Sequence, residues 1–147
     1  LMAPLIALLA GTALARAAGF LGLAHFDSWP PSVAVGVCCM FLLTGAVHFV
    51  PSFREWMVEM VPPRLPAPGL LVTVTGVLEL AGAIGVLVPA TRTAAGICLA
   101  LLLLAMFPAN VHAAREGVLM RGAPATPVPR RAAEQLLYIA AALIAAL

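Results

Sequence analysis

Five runs of sixteen to twenty-two residues, each nearly free of charge and bounded by Pro, Gly or charged residues, divide this chain of 147 residues. They lie at about 2–23, 33–50, 69–88, 93–113 and 132–147. A helix needs roughly 20 apolar residues to cross a hydrocarbon core about 30 Å thick, so the chain has the length for five crossings and little else. Composition agrees: 63% of residues are apolar, 10% are charged and the mean hydropathy is +1.09, which excludes an ordinary water-soluble globule. The expected fold is all-α, a single polytopic transmembrane helix bundle. The last run has only sixteen residues, so it is expected either to be truncated at the C-terminus or to enter the bilayer slightly short. In the first, the small-x-small steps Ala13, Ala15 and Ala17 resemble a cleavage site, but no basic segment precedes them, so a span is expected in place of a signal peptide.

Charge then orients the bundle. All eight cations are Arg and the net charge is only +2, too small for a nucleic-acid surface. When loops are assigned alternately to two sides, Arg54, Arg64, Arg115, Arg121, Arg130 and Arg131 fall on the side of the N-terminus, and only Arg92 falls opposite. That bias predicts a cytoplasmic N-terminus and a C-terminus on the other side of the membrane.

The connection at 51–68 carries its own pattern. Ser52 and Glu55 have capping-box spacing, and Phe53, Trp56, Met57, Met60 and Val61 share one helical face before Pro62 and Pro63. Two readings fit: a helix over about 52–61 lying flat at the interface, or an amphipathic loop packed on the bundle. The Pro-spaced connection at 114–131 is expected to be extended and mobile, with Arg130 and Arg131 beside anionic lipid or simply solvated. Gly11, Ala15 and Gly19, and likewise Ala81 and Gly85, repeat every four residues and predict close helix contacts, within the chain or with a second copy. Cys38, Cys39 and Cys98 form no disulfide framework and are expected as small core residues.

Polar groups at membrane depth are the informative positions, because a charge at the centre of a spanning helix costs on the order of 3 kcal/mol. Glu79 is the deepest, about 15 Å from either face by helix rise. Burial favours its neutral acid, which suits a hydrogen-bond donor or proton carrier; the competing role is a buried acid that ties helices together. Thr75 lies one turn before it on the same face. Arg16, two thirds along the first run, either snorkels to the outer interface or pairs with Glu79 in a ligand site. His48 ends the second run, and Asn110 and His112 end the fourth after Pro108. Asn110 is expected to point inward, where an amide meets both a carboxyl and a ligand carbonyl, and His112 to sit at headgroup level. His48, His112 and Glu79 have no metal-ligand spacing, so no metal site is expected, and no Ser-His-acid, Walker, dinucleotide or haem motif occurs.

The segments Gly45-Ala46-Val47-His48-Phe49, Met60-Val61-Pro62, Leu65-Pro66, Thr75-Gly76-Val77-Leu78-Glu79-Leu80-Ala81-Gly82 and Phe107-Pro108-Ala109-Asn110-Val111, in that order, resemble the DoxX-like family of small bacterial membrane proteins. The likeness spans roughly Val33–Leu147. It implies a four-helix core, here with an extra N-terminal helix containing Arg16, and an association with redox chemistry, in some relatives with electron delivery to quinone. On that resemblance His48, Glu79 and Asn110 line a pocket among the helices.

Two functions follow as expectations. In one, a quinone or similar hydrophobic molecule binds in the bundle, Glu79 and His48 act as the catalytic proton pair, and Asn110, Thr75 and Arg16 contact the ligand. Electrons would come from a partner subunit or soluble donor, since no flavin, haem or cluster motif is present. In the other, a non-catalytic bundle carries a hydrophobic ligand or anchors a redox enzyme at its cytoplasmic loops.

Overall fold

The structure, a computed structural model, describes Met2–Leu147; Leu1 lies outside the described residues. Six helices make up nearly all of it: α1 (Ala3–Phe20), α2 (Trp29–Val47), α3 (Pro51–Met60), α4 (Pro68–Gly85), α5 (Arg92–Glu116) and α6 (Val128–Ala145). A two-residue hairpin, β1 (Leu119–Met120) with β2 (Ala123–Pro124), is the one sheet among the described residues. The fold is an all-α helix bundle.

Neighbouring helices set its plan. α2 packs on α4, α4 on α5, α5 on α6 and α6 back on α2, which closes a four-helix ring; α1 packs along α2. The core between them contains Val37, Met40 and Phe41 of α2, Val86 just after α4, and Leu99 of α5, all fully buried. Glycine sets the spacing where a side chain would collide. A Cβ on Gly11 would meet the Gly36 Cα at 2.9 Å, so α1 and α2 approach backbone to backbone, and Gly96 of α5 likewise admits Ala146 beyond α6. The Gly11, Ala15 and Gly19 repeat is thus used within the chain, buried against its own neighbours.

Four helices, α1, α2, α4 and α5, are long and apolar enough to cross a membrane. Their outward faces are as apolar as the core: Leu14, Leu70, Ile84, Leu101 and Leu104 are all exposed. Such surfaces are stable only against hydrocarbon, and the chain is a membrane protein. α6 falls outside that set because its first two turns hold Arg130, Arg131 and Glu134.

Several local expectations are corrected. α3 begins at Pro51, whose fixed φ suits the first helical position, so Ser52 lies inside the helix and makes no capping bond. Its apolar face, Phe53, Trp56, Met57, Met60 and Val61, is half-buried, while Glu55 and Glu59 stay exposed. The expected extended 114–131 segment is folded: α5 runs on to Glu116, and Arg121 and Gly122, at φ 49° and 83°, turn the hairpin. Two successive positive φ values make the primed turn that matches strand twist. α6 starts one turn earlier than expected because Pro127 and Pro129 fit a helix entrance, which brings Arg130 and Arg131 into the helix. Cys98 is exposed and only Cys38 is fully buried, since a thiol is as compatible with lipid tails as with a core.

Candidate functional site

The α2–α4 contact brings the central acid into the bundle. A Cβ on Gly45 would meet the Glu79 Cβ at 3.2 Å, and one on Gly76 would meet the His48 Cβ at 2.6 Å. With glycine at both places the helices close up, and the Thr44 hydroxyl donates to Glu79 Oε2 at 2.7 Å. Glu79 is 3% exposed. Thr44 also serves His48: its carbonyl lies 2.8 Å from His48 Nδ1, which must carry the proton there, leaving Nε2 as acceptor. His48 is buried as well, so Glu79, Thr44 and His48 form one chain of contacts from mid-helix to the end of α2.

Across the ring stands α6. Arg131, Gln135 and Tyr138 occur at steps of four and three and so share one face. Gln135 donates through Nε2 to the Leu103 carbonyl of α5. Arg131 bonds the Asn110 Oδ1 at 3.0 Å and Glu134 at 3.3 Å, and its guanidinium lies 5.8 Å from the centre of the Tyr138 ring. All four ring helices carry polar groups, in two sets: Thr44, His48 and Glu79 where α2 meets α4, and Asn110, Arg131, Gln135 and Tyr138 where α5 meets α6. Two atoms there have no partner: Gln135 Oε1 and the Tyr138 hydroxyl, on side chains 4% and 3% exposed. Buried polar atoms without partners are uncommon and costly, about 1–3 kcal/mol each.

The structure assembles part of the expected site and disperses the rest. Glu79 and His48 are joined through Thr44. Thr75 lies a turn from Glu79 but donates back to the Leu71 and Val72 carbonyls of its own helix. Asn110 is held by Arg131, and its Nδ2 donates to the Met106 carbonyl, so it steadies a cation instead of meeting the acid. Of the two readings of Arg16, the pairing with Glu79 is corrected, while the reach toward the loop after α1 is what the side chain does. It bonds the Phe26 carbonyl at 3.0 Å and Asp27 at 3.3 Å, with its guanidinium over Phe20 and Trp29. α1 is the helix added outside the ring, and a carboxylate next to the chain turn outbids a buried one across α2. His112 lines a surface recess beyond Pro108. Among the described residues, no three His, Cys, Asp or Glu converge as a metal-binding group.

Sequence reasoning missed Thr44, Arg131, Gln135 and Tyr138. A signal was available, since these α6 residues are a polar stripe at positions i, i+4 and i+7 in an Ala- and Leu-rich helix. Starting that helix at 132 hid its first member. Arg54 was also missed: it bonds the His48 carbonyl at 3.2 Å, the Gly69 carbonyl at 2.8 Å and Thr73 at 2.9 Å, which ties α3 to α2 and α4.

A family model described as Domain of unknown function (DUF8561) matches residues 37–146, three quarters of the chain. The match takes in most of α2 and all of α3 to α6 and leaves out α1. No curated protein and no solved structure matches.

Proposed function

The chain belongs to the DUF8561 family, and we propose that it binds the polar head of a small lipid-soluble molecule, a quinone or a compound like it, inside the helix ring. The observation that carries this is the pair of unpartnered buried atoms, Tyr138 Oη and Gln135 Oε1, across the ring from Glu79. A quinone head has two carbonyl oxygens and, when reduced, two hydroxyls. The Tyr138 hydroxyl can donate to the first form, and Gln135 Oε1 can accept from the second. A quinone, when bound, carries two electrons and two protons through the membrane phase. Glu79 holds a proton at its carboxyl, and His48, reached through Thr44, lies on the path from the Arg-rich end. This redox association follows the likeness to the DoxX-like bundles, whose four-helix core and acid position the proposal adopts. On the same footing the Arg-rich end faces the cytoplasm of a bacterial cell.

Mass spectrometry of lipid-soluble molecules that co-purify in mild detergent tests the proposal. A stoichiometric quinone or similar compound is expected with the native chain and a reduced amount with folded Glu79→Gln and Tyr138→Phe. Equal retention in both variants would remove the ligand from this site. A second reading, a bundle that anchors a soluble redox enzyme, draws on the open recess of about 630 Å³ beside α3, lined by Pro51, Arg54, Glu55, Val58 and Glu59. Its expected mark is a stoichiometric soluble protein that remains bound through gel filtration.

A further inference from the structure

At the Arg-rich end a second recess, of about 320 Å³, lies between the last three turns of α5 and the chain leaving α3. Its α5 wall reads as a gradient. Phe107, Val111 and Arg115 follow one another at four-residue steps, with His112 and Glu116 on the adjoining ridge. Eight residues of helix rise about 12 Å, so an apolar floor gives way over that distance to a charged rim. Arg64 supplies a second guanidinium from the other wall. Neither Arg64 nor Arg115 has an ion-pair partner among the described residues, and both are exposed. Against them stands one carboxylate, Glu116, so the rim carries an excess of positive charge.

We infer that this recess binds one anionic phospholipid, with its acyl chain on Phe107 and Val111 and its headgroup phosphate between Arg64 and Arg115. Charge complementarity selects the occupant. Two guanidiniums oppose the single carboxylate, a planar fork of donors matches phosphate oxygens, and the apolar floor leads from the rim toward the hydrocarbon. A soluble phosphate would use the rim and leave Phe107 and Val111 idle. A zwitterionic lipid brings its own cation to a rim already positive. The recess is separate from the Glu79 cluster, and the inference holds whatever that cluster binds.

Native mass spectrometry of the purified full chain, titrated with phosphatidylglycerol and with phosphatidylcholine of the same acyl chains, provides the test. Each guanidinium near an anionic headgroup is worth about fivefold in binding, so a preference of roughly fivefold for phosphatidylglycerol is expected once the opposing Glu116 cancels one of the two. Arg64→Gln combined with Arg115→Gln should reduce that preference to within about twofold of none. These are exposed side chains, and gel filtration reports whether the variant is folded. Arg121→Gln is the control on the same end of the molecule; Arg121 lies 5.4 Å from the centre of the Phe53 ring, outside the recess, and its loss should leave the preference intact. Equal binding of the two lipids, an unchanged preference in the double variant, or displacement of phosphatidylglycerol by millimolar inorganic phosphate would each overturn the inference, the last by making it a site for free phosphate.

Discussion

At the scale of single residues, the interior cluster separates stability from binding. The Tyr138 hydroxyl is buried without a partner, so removing it should cost the fold nothing. Tyr138→Phe is expected to leave detergent-phase stability unchanged or raise it by about 1 kcal/mol, the desolvation cost of an unsatisfied group. If the hydroxyl meets a ligand, retention of that ligand falls all the same. Thr44→Val should behave oppositely, because it removes the donor to Glu79 and leaves a buried acid unpaired. A loss of about 1 kcal/mol in a reversible detergent unfolding assay is expected, typical of side-chain hydrogen bonds inside membrane bundles. Glu79 divides the two roles most sharply. Glu79→Gln retains hydrogen-bonding capacity and should keep the fold while losing proton transfer, whereas Glu79→Leu is apolar and favourable at that depth. Full function in folded Glu79→Leu would reduce the acid to a packing group.

Among the elements, α3 and its connection to α4 depend on two local features. Arg54 satisfies the His48 and Gly69 carbonyls and the Thr73 hydroxyl at once, which tethers the flat helix to the ends of α2 and α4. Arg54→Met retains the apolar stem and removes the donors. It should cost about 1.5–3 kcal/mol, as hydrogen bonds from a charged group do, and expose the 51–66 segment to limited proteolysis. An unchanged cleavage pattern would show that the apolar face alone holds α3. Ala67, just before Pro68, adopts φ 49°, a left-handed conformation in which a Cβ crowds the following carbonyl. Ala67→Gly should relieve that strain and stabilise the chain by about 0.5–1 kcal/mol, net of the extra freedom glycine gives the unfolded state.

For the whole molecule, the ends are defined by packing. Arg130 of α6 contacts the Met2 sulfur at 2.9 Å, so the start of α1 lies at the same end as α3, the hairpin and the start of α6. The Arg-rich segments thus share one end of the bundle, and the orientation proposed above, with that end in the cytoplasm, can be tested by labelling. A cysteine at exposed Ala123 should react with an impermeant thiol reagent only after cells are opened, and one at exposed Ala90 should react in intact cells. Ala123 is preferable to Gly122, whose positive φ strains any side chain. Reversed labelling would invert the orientation. The native cysteines lie within α2 and α5 and should stay unlabelled.

The amino-acid sequence by itself determined the all-α bundle of membrane-spanning character, the approximate place of its long helices, the mid-helix position of Glu79 and the clustering of arginine on one end. All of these follow from local composition and from the 1.5 Å rise of a helix, which convert directly into length and depth. Only the tertiary structure decided which polar groups meet. Arg16 and Glu79 are compatible in depth, yet α1 packs outside the ring, so the arginine turns to Asp27. Arg131 reads as a loop charge, yet an earlier helix start carries it inward over Tyr138. Facing across a bundle depends on which helices are neighbours and how each is rotated. Those are set by glycine contacts such as Gly45 with Leu80 and Gly96 with Ala146, distant in the chain and silent in any single helix's periodicity.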